Sequence, residues 1–182
     1  MMNLTNQLLI ATPDMPDERF HKAVILICEH NEHGALGINI NMPSEVSFPE
    51  ILDSLSIEHE GSVEEPMIYE GGPVNTQCGF ILHDAAAEFA SSISIAPGLS
   101  LTTSKDIIEA IAAKQLDGRW MMALGCATWH EGQLEEEIAE NSWLTCQASQ
   151  ELIFSDETDK WPTALDIIGI KAHQLSSDIG HA

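Results

Sequence analysis

Two adjacent glycines followed by a proline constrain this chain more than any other stretch. Gly71 and Gly72 come just before Pro73, between the apolar run 67–69 and the apolar run 79–82. Glycine lets the backbone adopt a positive φ or approach another segment closely, and proline fixes φ at about −65°. The pattern predicts a sharp turn between two strands, and a structural hairpin is its simplest interpretation.

Apolar runs elsewhere predict a sheet with strands of two kinds. Residues 23–28 are apolar at successive positions, which is typical of a strand buried on both faces. Leu36, Ile38 and Ile40 alternate with small or polar residues, which is typical of a strand with one buried face. Further strands are predicted at 7–11, 67–70, 78–83, 93–95, 99–102, 120–124, 143–147 and 152–154, with a turn at Gly125.

Capping residues and apolar periodicity predict helices between these strands. Ser47 and Glu50 have the spacing of a capping box at the start of the first helix. The later helices are predicted to begin near Ser104, Glu131 and Asp159. Because helices and hairpins do not alternate strictly as βαβ units, we predict an α+β fold with a large, mixed or mostly antiparallel sheet.

The domain organisation follows from the absence of repeats and linkers. We predict one domain over residues 1–173 and a flexible, polar tail over residues 174–182. No apolar run in the sequence is long enough to form a transmembrane helix, and we expect a cytoplasmic protein.

The charge of the chain limits the partners that it can take. Seven Lys and Arg residues against 29 Asp and Glu residues give a net charge of −22 at pH 7. Such a surface repels phosphate backbones and anionic membranes. We therefore expect neither direct nucleic-acid binding nor membrane association.

An ordered set of short segments carries a family resemblance. The segments are QLLIATP at 7–13, Phe20, VILICEH at 24–30, GALGININMP at 34–43, GGPV at 71–74, GQLE at 132–135 with Glu137 and Ile138, Asn141 with Trp143, and Trp161 with Ala164. Together they resemble the AlgH/YqgE family of bacterial proteins. The resemblance implies a single-domain α+β fold whose branched sheet curls toward a barrel and is surrounded by helices. One branch of that family is described as a transcriptional regulator, although the charge of this chain argues against contact with DNA.

The sequence contains no GxSxG, GxxxxGK[ST], GxGxxG or HExxH motif. We therefore expect a binding or regulatory protein without catalytic residues, cofactor or metal, acting through an unknown protein partner or small molecule. The candidate binding residues are His30, Asn41, Gly71, Gly72, Pro73, Asn75, Trp129, Gly132 and Gln133. If the turn serves binding alone, a Gly72→Val variant should lose its partner at little cost in melting temperature.

Two of these candidates have simpler structural interpretations. His30 and His33, with Glu32 between them, resemble a fragment of a metal site, but solvated loop histidines explain the pattern more simply. Trp129 lies just before a predicted helix, where unpaired backbone donors suit a ligand, and it could instead plug the end of the barrel.

A redox role for one thiol is the alternative function. The cysteines are Cys28, Cys78, Cys126 and Cys146, and without a CxxC pair we expect them to be reduced. Cys126 is predicted to lie at a strand end, shortly before a helix and near His130. A helix N-terminus and an imidazolium lower the pKa of a thiol, so Cys126 is a candidate redox sensor, although adjacent acidic residues act in the opposite direction.

Overall fold

The computed structural model describes residues 3–59, 66–86 and 88–171. The predicted tail at 174–182 lies outside the described residues. The strands of the described part are β1 Gln7–Ala11, β2 Val24–Asn31, β3 Gly34–Asn39, β4 Ile68–Glu70, β5 Val74–His83, β6 Ser92–Ala96, β7 Leu99–Thr102, β8 Trp120–His130 and β9 Trp143–Gln147. They form one sheet in the order β6-β7-β5-β8-β3-β2-β1-β9, and β4 pairs with β8 off this path.

Short helices surround the sheet. They are α1 Phe48–Ser54, α2 Lys105–Ala112, α3 Gln133–Ala139, α4 Gln150–Ile153 and α5 Trp161–Ile167, with a 3-10 helix at Glu18–Phe20. The predicted capping box is confirmed, because Ser47 and Glu50 exchange hydrogen bonds at the start of α1. The strand predicted at 152–154 is wrong, since Ser149 caps a helix there by accepting from the amide of Leu152. No helix in the described ranges is long and apolar enough to cross a membrane.

The α+β fold with a mostly antiparallel, branched sheet is confirmed. The pairing of β4 with β8 is parallel, and the pairings along the main path are antiparallel. The sheet branches at β8, which pairs with β5 on one edge and with both β3 and β4 on the other. The long strand β8 therefore connects the two halves of the curled sheet.

Both faces of the central strands are buried, as predicted for residues 23–28. In β1, Leu8 and Ile10 belong to the cluster that α4 and α5 cover. Leu9 packs on the opposite face with Trp129 and Trp143, where α3 covers the sheet. A third cluster lies under α1 and α2. Burial on both faces explains why these strands carry continuous apolar runs.

The hairpin predicted around Gly71 and Gly72 is wrong, because β4 and β5 lie on opposite edges of β8 and do not pair with each other. The chain crosses over β8 at this point, and there is no room for side chains between the two backbones. A β-carbon on Gly71 would lie 2.2 Å from the carbonyl oxygen of Gly125, and one on Gly72 would lie 2.2 Å from the carbonyl carbon of Cys126. The glycine pair is required by the crossing of two backbones.

The crossing also explains why β8 does not end at Gly125, where a turn was predicted. Gly125 has φ +80° inside the strand, and a β-carbon there would lie 2.4 Å from the carbonyl oxygen of Gly72. Opposite it, residues 75–78 bulge out of β5 between two paired positions. The expectation that Gly72→Val keeps the stability of the protein is wrong, because valine would collide with the backbone of β8.

Candidate functional site

Two adjoining cavities lie where the crossing segment meets the 3-10 helix, and together they form what we call the groove. They share Arg19, Phe20 and Pro73. The first, the Met42 cavity, has a volume of about 390 Å³, and the second, the Trp129 cavity, about 400 Å³. The Met42 cavity is also lined by Asn39, Met42, Ser44, Val46, Glu70, Gly72, Thr76 and Leu124. The Trp129 cavity is also lined by Met15, Pro16, Asp17, Val74, Thr128, Trp129, Gln133, Glu137, Glu140 and Ser142.

The 3-10 helix separates the two cavities and is held in place by its own first residues. The carboxylate of Asp17 accepts from the backbone amide of Arg19 at 3.0 Å and from its guanidinium at 2.8 Å. The hydrogen bond from Arg19 holds the pKa of the Asp17 carboxyl below its usual value. Phe20 packs edge-on against Trp143, with ring centroids 5.7 Å apart. Both cavities therefore share a wall that the chain fixes locally.

Glu137 of α3 is a polar side chain of the Trp129 cavity that accepts hydrogen bonds from three different residues. Its Oε1 accepts from the indole nitrogens of Trp129 at 3.0 Å and Trp143 at 2.9 Å. Its Oε2 accepts from the side-chain amide of Gln133 at 2.8 Å. Gln133 in turn accepts from the backbone amide of His130 at 3.1 Å. These bonds fix one negative charge at the edge of an aromatic wall.

Comparison with known proteins assigns this chain to a family. A model of the AlgH-like family matches residues 8–173 of the chain.

The chain belongs to the AlgH-like family.

Full-length relatives agree with that assignment. A UPF0301 protein of Ralstonia pickettii is 44% identical over 184 residues, covering 100% of this chain and 97% of that protein. A UPF0301 protein of Photobacterium profundum is 43% identical and covers 100% of both. These names state a family and no activity, and the predicted family resemblance is confirmed.

Two solved structures share the fold of this chain. The solution structure of the AlgH protein from Pseudomonas aeruginosa has a TM-score of 0.83 at 35% identity, over 100% of this chain and 97% of that one. A crystal structure from Corynebacterium diphtheriae has a TM-score of 0.69 at 26% identity, over 92% of this chain and 88% of that one.

The groove of this AlgH-like protein contains four of the residues predicted to bind a ligand, namely Gly72, Pro73, Trp129 and Gln133. Trp129 lies both in the core and at the wall of a cavity. Only 5% of it is exposed, so it fills the core beside Trp143, and it also lines the cavity. The groove thus brings together predicted binding residues from the crossing and from the end of β8.

His30 lies apart from the groove in a structural contact. Its Nδ1 accepts from the backbone amide of Leu4 at 2.9 Å, and its Nε2 lies 2.5 Å from a carboxylate oxygen of Glu135. Because Nδ1 accepts a hydrogen bond, the ring proton is on Nε2 and is donated to Glu135. His30 therefore joins the start of the described chain to α3, and it offers no free nitrogen to a metal.

The remaining predicted binding residues have roles in the backbone of this AlgH-like fold. Asn41 accepts from the amide of Lys160 and donates to the carbonyl of Lys22. Gly71 belongs to the crossing, whereas Asn75 lies in the β5 bulge with φ +51°. Gly132 precedes α3 with φ +77° and open space around it. That helix has seven residues, and the groove lies at its side.

The cysteines give little support to redox chemistry. Cys126 lies inside β8 and is 1% exposed, with no helix start beside it. Burial raises the pKa of its thiol, and the neighbouring Cys78 acts in the same direction. Burial also raises the pKa of Cys28 and Cys146. All four thiols are free, and of these Cys78 is the exposed one.

Several groove residues have only weak sequence signals. Glu137 lies four positions after Gln133, the spacing of neighbours on one helix face, but in the sequence it stands out only as part of the family resemblance. Arg19 and Phe20 follow a turn rich in proline, and nothing in the local pattern places them opposite Pro73. In the described ranges, no three His, Cys, Asp or Glu side chains are grouped as metal ligands would be.

A buried lysine lies outside the groove and was also missed. Lys160 is 0% exposed, and its ammonium donates to the carbonyl of Ile153 at 3.2 Å and to the hydroxyl of Tyr69 at 3.4 Å. The same ammonium lies 4.6 Å from the centre of the Tyr69 ring. Burial lowers the pKa of Lys160 to about 8, although Glu157 and Asp156 act in the opposite direction. Lys160 is enclosed by the core, and neither it nor Tyr69 or Ile153 lines the groove.

Proposed function

We propose that this AlgH-like protein is a binding protein and that the groove is its ligand site. The observation that carries the proposal is the junction of two cavities across Arg19, Phe20 and Pro73. Ligand pockets typically have volumes of about 300–1,000 Å³, mostly apolar walls and a few fixed polar groups. Each cavity has such a volume, and the carboxylate of Glu137 is a polar group fixed by three donors.

The bonding of the groove carboxylates supports binding over catalysis. A general acid or base needs a side chain that can exchange a proton with a substrate. Asp17 is neutralised by Arg19, and Glu137 already accepts three hydrogen bonds from its own protein. Both groups support a surface of fixed charge, which suits recognition.

The groove also fits a partner other than nucleic acid. Its acidic side chains are Asp17, Glu70, Glu137 and Glu140, and Arg19, its basic residue, is paired with Asp17. Together with the net charge of −22, this lining repels a phosphate backbone. We therefore propose regulation through protein or small-molecule contacts, without direct contact to DNA.

A fragment screen by NMR tests the site. Fragments that bind are expected to shift the indole N–H of Trp129 and the backbone amides of Gly72 and Val74. Thr128→Trp should abolish these shifts, because Thr128 is exposed and lines the Trp129 cavity. Thr145→Trp is the matched control, since Thr145 is an exposed strand threonine of β9 outside the groove. A screen whose hits map elsewhere, or that finds none in the groove, would contradict the proposal.

A further inference from the structure

The fixed charges of the groove are distributed unevenly between its two cavities. Asp17 and Arg19 form an ion pair at 2.8 Å, so the shared wall carries little net charge. Glu137 and Glu140 remain in the Trp129 cavity, and among the described residues no Lys, Arg or His forms an ion pair with either of them. The side chains that line the Trp129 cavity therefore carry a net negative charge.

The geometry of Glu137 leaves a place for one more donor. A carboxylate can accept about four hydrogen bonds. Glu137 accepts two on Oε1 and one on Oε2, all from its own protein. A ligand donor therefore meets a carboxylate that is already oriented, so binding does not lose the conformational entropy of the Glu137 side chain.

Part of the wall around this carboxylate is apolar. Met15, Phe20 and Val74 line the same cavity as Glu137, together with polar residues such as Thr128 and Ser142. Lysine and arginine bury their aliphatic stems along such surfaces while the charged head reaches a polar group. A cavity that combines apolar surface with carboxylates therefore matches a long basic side chain better than a compact cation.

The Met42 cavity has a different lining. Met42, Val46 and Leu124 provide its apolar surface, Asn39, Ser44 and Thr76 provide polar groups without charge, and among the described residues Glu70 is its one carboxylate, against two unpaired carboxylates in the Trp129 cavity. Val46 is 36% exposed, so part of this surface faces solvent. An apolar side chain fits here, beside the cavity that suits a basic one.

We propose, on the basis of the binding function argued above, that the groove takes an extended basic peptide segment of a partner protein. Its lysine or arginine enters the Trp129 cavity toward Glu137 and Glu140. An apolar side chain two residues away enters the Met42 cavity, since alternate side chains of an extended segment point the same way. The net charge of −22 draws such a segment toward the protein.

Three short peptides test this assignment by NMR titration of the labelled, full-length protein. The probes are Ac-GKGLG-NH2, the same peptide with Glu in place of Lys, and the same peptide with Ser in place of Leu. The lysine–leucine peptide is expected to shift the indole N–H signals of Trp129 and Trp143, which both donate to Glu137, and to leave those of Trp120 and Trp161 in place. The glutamate peptide should bind more than about 10-fold more weakly, since it places like charges together. The serine peptide should bind more weakly than the lysine–leucine peptide.

Two variants with the same change of charge distinguish a contact in the groove from the attraction of the protein's overall negative charge. Glu140→Gln removes an exposed carboxylate that lines the cavity, at the C-terminal cap of α3, and Glu136→Gln removes an exposed carboxylate of α3 that lies outside the cavity. Glu140→Gln should lower the affinity for the lysine–leucine peptide about 2- to 5-fold, which corresponds to the free energy of an exposed ion pair. Glu136→Gln should change the affinity much less. Equal losses of affinity in both variants would overturn the proposed binding site for the basic side chain.

The outcomes distinguish this inference from the binding function on which it rests. If the glutamate and lysine peptides shift the same groove signals equally, the groove binds ligands but the basic partner is wrong. If spermidine binds as tightly as the lysine–leucine peptide, the cation site stands and the peptide partner is overturned. If no peptide shifts these signals while neutral fragments do, the basic segment is again wrong and the groove remains a binding site.

Discussion

The indole nitrogen of Trp129 donates to Oε1 of Glu137 at 3.0 Å, which ties the end of β8 to the helix α3 that follows it. Trp143 on β9 donates to the same oxygen at 2.9 Å. A single carboxylate thus satisfies two indole donors that are 5% and 2% exposed at the residue level. This arrangement places a charge at the groove and joins two strands through one helix.

Replacing Glu137 with leucine should destabilise the protein by about 2–4 kcal/mol, because each buried donor left without a partner costs about 1–3 kcal/mol. Glu137→Gln keeps an acceptor for both indoles and should cost less. Urea unfolding followed by circular dichroism gives the free energy of unfolding for each variant. Glu136→Leu, on the exposed side of the same helix, is the control and should stay within about 0.5 kcal/mol. Similar losses at both positions would mean that the indole contacts contribute little.

The crossing predicts that two glycine substitutions differ strongly in how much they lower the free energy of unfolding. Gly72→Ala should cost about 3 kcal/mol or more, or prevent folding, because its β-carbon meets the Cys126 backbone at a φ of +154°. Gly132→Ala has φ +77° but nothing within 4 Å of the new β-carbon, so it should cost only about 1–2 kcal/mol of backbone strain. The midpoints of urea unfolding compare the two. Equal costs would show that conformation alone, and not crowding, requires glycine at the crossing.

Local patterns in the sequence were sufficient for much of the sheet. Residues 23–28 are apolar on both sides of the strand, and both sides are buried. Ser47 and Glu50 are three residues apart, and the cap depends only on that spacing. These features are predictable because the residues that decide them are close in sequence, whereas the partner of a strand is decided by distant residues.

The glycine pair shows where local patterns fail. A turn between β4 and β5 has the same sequence whether the strands pair with each other or lie on either side of a third strand. The strand between them, β8, begins about 50 residues later in the chain, at Trp120. The turn predicted at Gly125 was wrong for the same reason. Glycine is favoured both in a turn and in a strand that lies opposite a bulge at a crossing, so the residue alone does not distinguish the two.

The groove could be predicted only in part. Trp129 and Gln133 were found because they lie beside a loop and a helix start, and Gly72 and Pro73 because of the turn. Arg19 and Phe20 lie more than 50 residues from Pro73, and only the tertiary fold brings them together. Lys160 was missed because a lysine is rarely buried, so composition places it on the surface.

The thiols should differ strongly in their reactivity with iodoacetamide. Cys78 is exposed, whereas Cys28, Cys126 and Cys146 are buried with raised pKa values. At neutral pH the folded protein should gain one modification quickly, at Cys78, and the unfolded protein should gain four. Peptide mass spectrometry identifies the modified residue, and Cys78→Ser should remove the fast modification. Rapid modification of Cys126 in the folded protein would revive the redox alternative.

Lys160 should make the stability depend on pH in the alkaline range. Its pKa is lowered by burial from 10.5 to about 8. Below pH 8 both the folded and the unfolded states carry the proton, so the cost of burying the charge is constant. Between these two pKa values Lys160 keeps its proton more readily in the unfolded state, so this residue alone contributes a rise of about 2 kcal/mol in the free energy of unfolding from pH 7 to pH 9.5. The buried thiols of Cys28, Cys126 and Cys146, whose pKa values are raised, lower the free energy of unfolding over the same range, with or without Lys160.

A Lys160→Met variant should lack this rise and should be more stable than the natural protein at pH 7, because methionine fills the same space without a buried charge. The free energy of unfolding at pH 7 and pH 9.5 tests this in both proteins, and the gap between them should narrow by about 2 kcal/mol as the pH rises. Both pH values lie below the pKa of the Tyr69 hydroxyl in the folded protein, because burial raises that pKa above its ordinary value of 10.0. Lys105→Met, at an exposed lysine of α2, should leave the pH dependence unchanged. A gap that does not change with pH would mean that the ammonium of Lys160 is not buried in solution.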